Sequence, residues 1–512
     1  MLTKEWKQLK NGSDVRGVAI KTAQNTEVTL TEEKVERIAA AFVLFLCKKM
    51  GKRASELTLA VGRDSRISGP ALLQAAVKAF YTAGTHCYNL GLMSTPAMFM
   101  ACVDPELHCD GTIQITASHL PYERNGMKFF TPQGGLESAD IEEILESAMK
   151  NQMPEAVEGG SVEERDFLSV YAGGLAEMMR RRINSKENYE KPLKGLHIVV
   201  DAGNGAGWFY ADKVLKPLGA DISGSRYLEP DGYFPNHVPN PENKEAMAAI
   251  SESVLQNGAD FGVIFDTDVD RAAAVDSCGQ EINRNRLIAL ISAILLRNEP
   301  GASIVTDSVT SSGLKEFIES CGGVHYRYKR GYKNVINEAI RLNKNGISCP
   351  LAIETSGHAA LRENYFLDDG AYLVTVLIAE MACMKKQGKK LEELIETLKE
   401  PVESREFRMP ILTEDFTAYG NQVLEDLESY AKKKAWRLAK DSFEGVRVSF
   451  GEEGEGWFLL RLSLHDPIMP LNVESNCKGG VYKILRQFYS FIMQCGQIDS
   501  KEIEVFLQQR QC

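Results

Sequence analysis

Residues 196–219, LHIVVDAGNGAGWFYADKVLKPLG, contain an apolar strand, a glycine-rich turn and an amphipathic helix in that order. The same order recurs in residues 57–66 (LTLAVGRDSR) with 71–84 (ALLQAAVKAFYTAG) and in residues 302–323 (ASIVTDSVTSSGLKEFIESCGG). Residues 261–271 (FGVIFDTDVDR) supply another strand and turn. Strands that alternate with helices predict parallel sheets, whose ligands usually lie at the carboxyl ends of the strands. We therefore expect a multidomain α/β enzyme.

Length and composition bound the number of domains. The 512 residues correspond to about three to four domains, and the hydrophobic fraction of 44% is ordinary for chains with buried cores. Linker-like stretches near 152–164, 277–281 and 399–407 divide the chain into segments 1–160, 161–278, 279–400 and 401–512. The last segment differs from the others, with a helix near 414–434, strands at VRVSF, WFLLRLSL and PLNVES, and a helix at 481–494. The sequence thus predicts three related α/β domains and a fourth domain of α+β type.

Charge, hydropathy and cysteine content exclude several classes of function. The 59 Lys and Arg against 70 Asp and Glu give a net charge of −11, so no global positive field would attract nucleic acid or anionic lipid. The longest apolar runs, 38–47 and 287–296, have ten residues each, half of the ~20 that a membrane span needs. The start, MLTKEWKQLK, does not resemble a secretory signal, and the eleven cysteines lack a C-x-x-C pair. We expect a cytoplasmic protein with no nucleic-acid or membrane partner.

The first candidate site is DGTIQITASHLPYERNGMKFF, residues 110–130. The apolar strand at 112–116 delivers the hydroxyl of Ser118 into a loop that also carries His119, Arg124 and Lys128. An ordinary polar turn, in which Ser118 bonds only to the local backbone, explains this spacing equally well. There is no G-x-S-x-G elbow, which weakens an acyl-transfer interpretation.

The second candidate site is DTDVDR, which follows the apolar run FGVIF. Asp266, Asp268 and Asp270 alternate at i, i+2 and i+4, so an extended loop could turn all three carboxylates toward one cation. Mg²⁺ prefers such oxygen ligands, and Arg271 could bind a phosphate beside it with two parallel hydrogen bonds. An EF-hand is excluded because Arg271 and Ser277 occupy the places of its glycine and glutamate. Because three adjacent carboxylates would repel one another without a cation, we favour a metal site over a solvated acidic turn.

Two further motifs are weaker. AIETSGH places Glu354, Ser356 and His358 on a glycine-containing loop, which suits either a pair of sugar hydroxyls or a capped helix start. GNGAG at 203–207 is GxGxG rather than GxGxxG, and no acidic residue ends a strand ~20 residues later. We interpret GNGAG as a tight turn rather than a dinucleotide site.

Taken together and in this order, the motifs resemble the α-D-phosphohexomutase superfamily, the phosphomannomutase/phosphoglucomutase group, over essentially the whole chain. SDVRGVAI is similar to its Y/F-D-I-R-G opening, TASHLPYERNGMKFF to its phosphoserine loop, DTDVDR to its D-x-D-x-D-R metal loop and ETSGH to its sugar-recognition loop. YKRGYKNV resembles the V-G-x-K segment, and RLSLHDP the R-x-S-G-T-E-P phosphate loop. The phosphoserine and metal loops are the most specific of these matches.

The resemblance implies three related α/β domains and a C-terminal TATA-binding-protein-like α+β domain around a central cleft. It implies an intramolecular phosphotransferase that interconverts hexose 1-phosphate and hexose 6-phosphate, of mannose or glucose, through a phosphoserine and a 1,6-bisphosphate. The implied cofactors are Mg²⁺ and, as activator, glucose 1,6-bisphosphate or an equivalent hexose bisphosphate. The partners would be small-molecule sugar phosphates, and the chain would be a monomer or a homodimer.

The resemblance also assigns roles to residues. The metal ligands that it implies are the phosphorylated Ser118 with Asp266, Asp268 and Asp270. The catalytic residues that it implies are Ser118 as phosphoryl carrier, with Arg16, His119, Lys128 and His358. The substrate-binding residues that it implies are Arg271, Gly331, Lys333, Glu354, Ser356, His358, Arg461, Ser463 and His465.

Departures from the family motifs leave the sugar open. Leu464 and His465 stand where the family has Gly-Thr, and a leucine offers no donor to a phosphate. Thr355 in ETSGH matches neither the G-E-M-S-G-H of mannose and glucose mutases nor the G-E-Q-S-G-H of glucosamine mutases. Phosphoglucosamine mutase is the alternative within the class. Outside it, the alternatives are a Mg²⁺-dependent phosphohydrolase with Asp266 as nucleophile and a catalytically silent sugar-phosphate-binding protein.

Overall fold

The computed structural model describes residues 1–154, 159–451, 454–463 and 466–509. The chain forms two compact units, one of residues 1–283 with 356–393 and the other of residues 284–355 with 394–512. Within the described ranges, none of the helices combines the length and apolar character that crossing a membrane requires.

The first unit begins with an eight-stranded mixed sheet. Its strands are β1 Lys10–Asn11, β2 Asp14–Val18, β3 Thr58–Arg63, β4 His86–Leu92, β5 Gly111–Ile115, β6 Arg124–Thr131, β7 Gly134–Gly135 and β8 Ser161–Glu164. The strand order is β1-β2-β6-β5-β3-β4-β8, with β7 on β6. Strands β5, β3, β4 and β8 are parallel neighbours, whereas β2, β6 and β5 are antiparallel. The expectation of parallel sheets is therefore only partly correct.

Helices cover this sheet and bury its central strands. They are α1 Lys4–Lys7, α2 Glu32–Met50, α3 Gly69–Thr82, α4 Thr95–Val103 and α5 Ser138–Met149. The longest, α2, begins where the Thr31 side chain accepts a hydrogen bond from Lys34 N (3.2 Å) and ends at Gly51, whose φ of 67° is left-handed. Its apolar residues join one core with those of α3, α5 and the sheet, for example through Phe42 and Phe129 with ring centroids 5.1 Å apart. Strand β5 is buried along its whole length, which fixes the loop that follows it.

The next part of the first unit contains a four-stranded sheet. Its elements are α6 Phe167–Ile183, β9 Ile198–Asp201, a π-helical turn Tyr210–Leu215, α7 Lys244–Asn257, β10 Phe261–Phe265, β11 Ala272–Asp276 and β12 Glu281–Ile282. Strands β9 and β10 are parallel, but β10 and β11 form an antiparallel hairpin with Phe265 opposite Ala272. Residues 277–280, interpreted above as part of a linker, form the turn before β12.

The second unit begins with a parallel sheet. Residues 284–355 form α8 Arg284–Leu296, β13 Ser303–Thr306, α9 Ser312–Ser320, β14 Val324–Arg327, α10 Tyr332–Lys344 and β15 Leu351–Ile353. Strand β13 pairs in parallel with both β14 and β15. Residues 356–393 belong to the first unit and form β16 Ala359–Leu361, β17 Leu367–Asp368 and α11 Gly370–Lys385, with a 3₁₀ turn at Arg362–Asn364. A second 3₁₀ turn, Leu391–Ile395, runs across the boundary between the units at residue 393.

The C-terminal part of the second unit is an α+β fold. Its elements are β18 Glu403–Pro410, α12 Phe416–Lys433, β19 Arg437–Leu438, β20 Val446–Phe450, β21 Gly456–Leu460, β22 Ile468–Ser475, α13 Gly480–Ile492 and α14 Lys501–Gln509. The strands form an antiparallel sheet in the order β18-β22-β21-β20-β19, and the helices bury its apolar face. In the first unit, Ala54–Glu56 form a 3₁₀ turn between α2 and β3. The predicted fold class, α/β with a C-terminal α+β domain, is confirmed.

Candidate active site

Ser118 lies three residues beyond the carboxyl end of β5 and is 8% exposed. Its backbone is left-handed, with φ 50°, and its amide donates to Thr116 Oγ1 at 2.9 Å. Its Oγ donates to Asp266 Oδ2 at 3.0 Å. The structure thus places the serine of the first candidate site against the aspartates of the second.

The three aspartates of the DTDVDR loop form one buried cluster after β10. Each of Asp266, Asp268 and Asp270 offers an oxygen, and these oxygens lie within 4.8 Å of one another. Between them, Val269 is held at φ 69°, which is unusual for a β-branched residue and typical of a constrained functional loop. Among the described residues, Asp268 Oδ1 and Asp270 Oδ1 are buried without a hydrogen-bond partner. A buried set of carboxylate oxygens, two of which accept no hydrogen bond, fits a hard divalent cation.

Arg271 connects this cluster to the serine. Its Nε donates to Asp266 Oδ2 at 3.0 Å, and its Nη2 donates to Ser118 Oγ at 3.1 Å and to His119 Nδ1 at 2.5 Å. Because a guanidinium can only donate, His119 Nδ1 is the acceptor and carries no proton. Burial, together with the positive charges of Arg271 and Arg16, lowers the pKa of His119 to about 3, so the ring is neutral at neutral pH.

Two further cations lie on neighbouring strands. Lys128, on β6, donates to Asp268 Oδ2 at 2.9 Å and also to Asp270. Burial would lower the pKa of Lys128, but the adjacent carboxylates raise it well above its ordinary value. Arg16, on β2, donates to Asp14 Oδ2 at 2.8 Å and to the carbonyl oxygen of Thr116. Both cations are buried within reach of the loop that carries Ser118.

His358 approaches the same cluster from the segment after Thr355. Its Nε2 lies 3.6 Å from Asp270 Oδ1 and 3.7 Å from Asp368 Oδ2, and its Nδ1 lies 3.0 Å from Ser356 Oγ. The first unit therefore brings together Ser118, His119, Lys128, Arg16, Asp266, Asp268, Asp270, Arg271, Ser356 and His358.

The remaining predicted residues lie in the second unit. Gly331, with φ 115°, donates its amide to Glu354 Oε1 at 2.6 Å, and Lys333 is in the first turn of α10. Burial, together with the charge of Glu354, raises the pKa of the neighbouring Asp307 to about 6.

Arg461 and Ser463 follow β21. Burial and then the like charge of Arg330 lower the pKa of Arg461, and Ser463 Oγ accepts a hydrogen bond from Asp466 N at 3.3 Å. Leu464 and His465 lie outside the described residues.

The chain matches three family models in succession. Residues 7–155, 174–279 and 283–401 match the descriptions "Phosphoglucomutase/phosphomannomutase, alpha/beta/alpha domain I", "domain II" and "domain III". The chain belongs to the phosphoglucomutase/phosphomannomutase family. The resemblance to the α-D-phosphohexomutase superfamily is confirmed, and the chain is a phosphohexomutase enzyme.

Individual relatives agree with this assignment. The chain is 30% identical to the phosphomannomutase/phosphoglucomutase of Pseudomonas syringae pv. tomato over 440 residues, which cover 85% of this chain and 87% of the relative. It is 29% identical to the phosphoglucomutase of Neisseria gonorrhoeae, covering 94% and 95% of the two chains. A crystal structure of a phosphoglucomutase/phosphomannomutase family protein from Burkholderia thailandensis superposes with a TM-score of 0.77 at 25% identity, covering 97% and 98%.

Asp64 and Arg66 are prominent residues of this phosphohexomutase site that sequence reasoning missed. They form a fully buried ion pair after β3, and Arg66 donates to the carbonyl oxygen of Ser118. A charged pair at the carboxyl end of a parallel strand, in GRDSR, is the signal that could have found them.

Proposed function

We propose that this phosphohexomutase interconverts hexose 1-phosphate and hexose 6-phosphate, of mannose or glucose, through phospho-Ser118 and a hexose 1,6-bisphosphate. One observation carries the proposal: Ser118 Oγ lies 3.0 Å from Asp266 Oδ2 and 3.1 Å from Arg271 Nη2. A hydroxyl between a carboxylate of a cation-binding cluster and a guanidinium is suited to exchange a phosphoryl group. The family membership and the names of its relatives support the same reaction.

The proposed reaction has two transfers. In the first, the free hydroxyl of the bound hexose phosphate attacks the phosphorus of phospho-Ser118 and gives its proton to His358, while the bond from phosphorus to Oγ breaks and Oγ takes a proton from Asp266. The 1,6-bisphosphate then turns over, because O1 and O6 cannot both face Ser118 in one pose. In the second transfer, Ser118 Oγ attacks the other phosphate, the bond from that phosphorus to the sugar oxygen breaks, and the sugar oxygen gains a proton. A hexose bisphosphate supplied from solution, such as glucose 1,6-bisphosphate, would load unphosphorylated Ser118 by the second transfer.

The residues around Ser118 have distinct proposed roles. Asp266 Oδ2 already accepts the hydroxyl hydrogen that must leave when Ser118 attacks. Arg271, Lys128 and Arg16 supply fixed positive charge around the phosphoryl oxygens. Neutral His119 accepts a hydrogen bond from Arg271 and so orients its guanidinium.

The cation and the sugar complete the proposal. The three aspartates and the phosphate on Ser118 would hold Mg²⁺, which supplies Lewis-acid stabilisation of charge on the transferring phosphoryl group. His358 is the proposed proton-transfer group toward the sugar. Glu354 and Ser356 would hold sugar hydroxyls, and the phosphate that is not transferred would lie on Gly331, Lys333, Arg461, Ser463 and His465.

The proposed setting is the cytoplasm, with a monomeric or homodimeric enzyme. The ten cysteines among the described residues are all free, which supports a reducing compartment. Light scattering of the purified protein would measure its oligomeric state.

Phosphopeptide mapping tests the proposal. The protein is incubated with glucose 1,6-bisphosphate and Mg²⁺, and its intact mass is measured to detect an added phosphoryl group. Phosphopeptide mapping then identifies the residue that carries this label. We expect one phosphoryl group on Ser118, and Ser118→Ala should lose mutase activity by several orders of magnitude while remaining folded.

Ser169→Ala is the matched control, because Ser169 also donates to an aspartate, Asp166 at 2.5 Å, and accepts from a lysine, Lys213 at 2.7 Å. It should retain full activity and labelling. Label on Asp266 would indicate a phosphohydrolase instead, and near-normal activity of Ser118→Ala would reject the proposal. Coupled assays with mannose, glucose and glucosamine 1-phosphates then distinguish the three sugars, including the phosphoglucosamine alternative.

A further inference from the structure

Arg66 is a fully buried side chain whose donors converge on the backbone of the loop that carries Ser118. Its exposed fraction is 0%. One terminal nitrogen donates to Leu120 O at 2.6 Å and to Ser118 O, and the other donates to Pro121 O at 2.7 Å and Arg124 O at 2.9 Å. One guanidinium therefore binds four carbonyl groups within residues 118–124, the loop that connects β5 to β6 and the first residue of β6.

Asp64 extends this network to the other side of Ser118. Its carboxylate pairs with Arg66 Nε at 3.2 Å and accepts the hydroxyl of Thr116 at 2.6 Å. The same Thr116 Oγ1 accepts the amide of Ser118 at 2.9 Å. The carbonyl of Ser118 is thus held by Arg66, and its amide is held by Asp64 through Thr116.

The conformation of Ser118 explains why such a network is needed. A serine at φ 50° is in the left-handed region, which costs free energy for a residue other than glycine and persists where its surroundings enforce it. The four carbonyl oxygens that face Arg66 also need hydrogen-bond donors, because a buried backbone carbonyl without one is costly. Arginine has five donors in a rigid plane, whereas lysine has three on one atom, so the two are not equivalent here.

The loop before α7, which carries Gly232 and Phe234 in the same unit, covers Arg66. The ring of Phe234 lies 5.3 Å from the centre of the guanidinium. At Gly232 the approach is so close that an added Cβ would lie 2.4 Å from Ile67 N. This cover keeps water from competing for the donors of Arg66.

We propose that Arg66, paired with Asp64, is a positioning residue that holds Ser118 in line for phosphoryl transfer. The inference rests on the proposed function, in which Ser118 carries the phosphoryl group. Arg66 touches neither the cation cluster's oxygens nor Ser118 Oγ in these contacts, so it acts through the backbone of the loop.

The test compares Arg66→Lys and Thr116→Val with wild type. Steady-state kinetics on glucose 1-phosphate separate kcat from KM, and hydrogen exchange followed by mass spectrometry reports on the peptide 117–125. Arg37→Lys is the matched control, because Arg37 also donates to two backbone carbonyls, Ala148 at 3.0 Å and Met149 at 2.8 Å, and lies 5.0 Å from the ring of Trp6.

We expect Arg66→Lys to lower kcat about 100-fold with KM changed less than about threefold, because misplacing a reacting group by ~1 Å costs that much. Thr116→Val should lower kcat at least about tenfold, because it removes two hydrogen bonds, one to the carboxylate of Asp64 and one from the amide of Ser118. Both variants should accelerate exchange in 117–125. Arg37→Lys should accelerate exchange only near its own carbonyls and leave kcat unchanged.

An unchanged kcat in folded Arg66→Lys overturns the inference, and so does a rise in KM alone, which would indicate contact with substrate. If Arg66→Lys does not fold, Thr116→Val decides: unchanged kcat and unchanged exchange overturn the inference, whereas slower turnover with faster exchange supports it. The intact mass of the wild type distinguishes a failure of the proposed function from a failure of the proposed role of Arg66. If the wild type never carries phosphate on Ser118, the proposed function itself is refuted. If the wild type is phosphorylated but kcat and hydrogen exchange are unchanged in the variants, only the role of Arg66 is refuted.

Discussion

Replacing Arg271 with lysine should separate the geometry of this guanidinium from its charge. Arg271 is 2% exposed, and three of its side-chain hydrogen bonds, to Asp266, Ser118 and His119, lie within the active site. A lysine keeps the positive charge beside Asp266, which would otherwise be left buried without its partner at a cost of roughly 3–5 kcal/mol. It has only one nitrogen, however, and cannot reach all three groups.

The magnitude follows from the contacts that are lost. Two charge-assisted hydrogen bonds at roughly 1.5–3 kcal/mol each amount to about 3–6 kcal/mol. If they act in the transition state, kcat/KM should fall roughly 10²- to 10⁴-fold. Most of the loss should appear in kcat, because the contacts hold the reacting group rather than the sugar.

A coupled assay on glucose 1-phosphate, with thermal unfolding as a check on folding, measures this effect. Arg226→Lys is the control, because Arg226 in the same unit makes a comparable set of contacts, to Glu252 at 3.0 Å and Gln256 at 2.7 Å, away from the cluster. It should retain wild-type kinetics. A folded Arg271→Lys enzyme with kcat/KM within about fivefold of wild type would contradict the magnitude calculated from the contacts.

Three further predictions concern metal, phosphate and pH. Asp266→Asn and Asp268→Asn should each lower turnover strongly, and the double variant should lose less than the product of the two single losses. EDTA should abolish activity and added Mg²⁺ should restore it; full activity in EDTA would exclude a metal role. Arg461→Ala should raise KM and lower kcat, reducing kcat/KM roughly ten- to 100-fold, and unchanged kinetics would exclude it from phosphate binding. Burial raises the pKa of Asp369 to about 6, above the ~3.9 of an unfolded chain, so the folded protein favours the protonated carboxyl. The contribution of this carboxyl to the free energy of unfolding is therefore complete below about pH 3.9 and is lost as pH rises through about 6. Urea unfolding near pH 4 and pH 7 should show wild type losing about 2 kcal/mol relative to Asp369→Asn, and parallel curves would contradict this.

The clustering of the three aspartates could be predicted from the sequence because its information is local. Asp266, Asp268 and Asp270 alternate in one short segment after a buried strand, so their spacing alone specifies that they can face one point. The antiparallel pairing of β10 with β11 follows from the same locality. Only six residues separate Phe265 from Ala272, and a parallel crossover needs a dozen or more, so this pair could only be a hairpin.

The network around Ser118 could not be predicted in this way, because its information is not local. Arg66 precedes the carbonyls that it binds by 52 to 58 residues, and nothing in GRDSR indicates that one guanidinium will bind four of them. The φ of Ser118 is equally invisible, since TASHLP contains no glycine that would mark a left-handed position. Both features arise only when β3 and β5 become neighbours in the sheet.

The charges around Ser118 explain how one cluster can serve both a cation and a phosphate. With all three carboxylates ionised, as they would be around a bound cation, they and the two buried cations Lys128 and Arg271 carry one net negative charge. A divalent cation alone would make the cluster positive, and a phosphate dianion on Ser118 alone would add two more negative charges to a dry site. Bound together, they leave the net charge unchanged, so each lowers the electrostatic cost of the other. The Asp268 and Asp270 oxygens that lack a hydrogen-bond partner could then bind the cation, while Arg271 remains in contact with Ser118 Oγ, the proposed attachment point of the phosphoryl group.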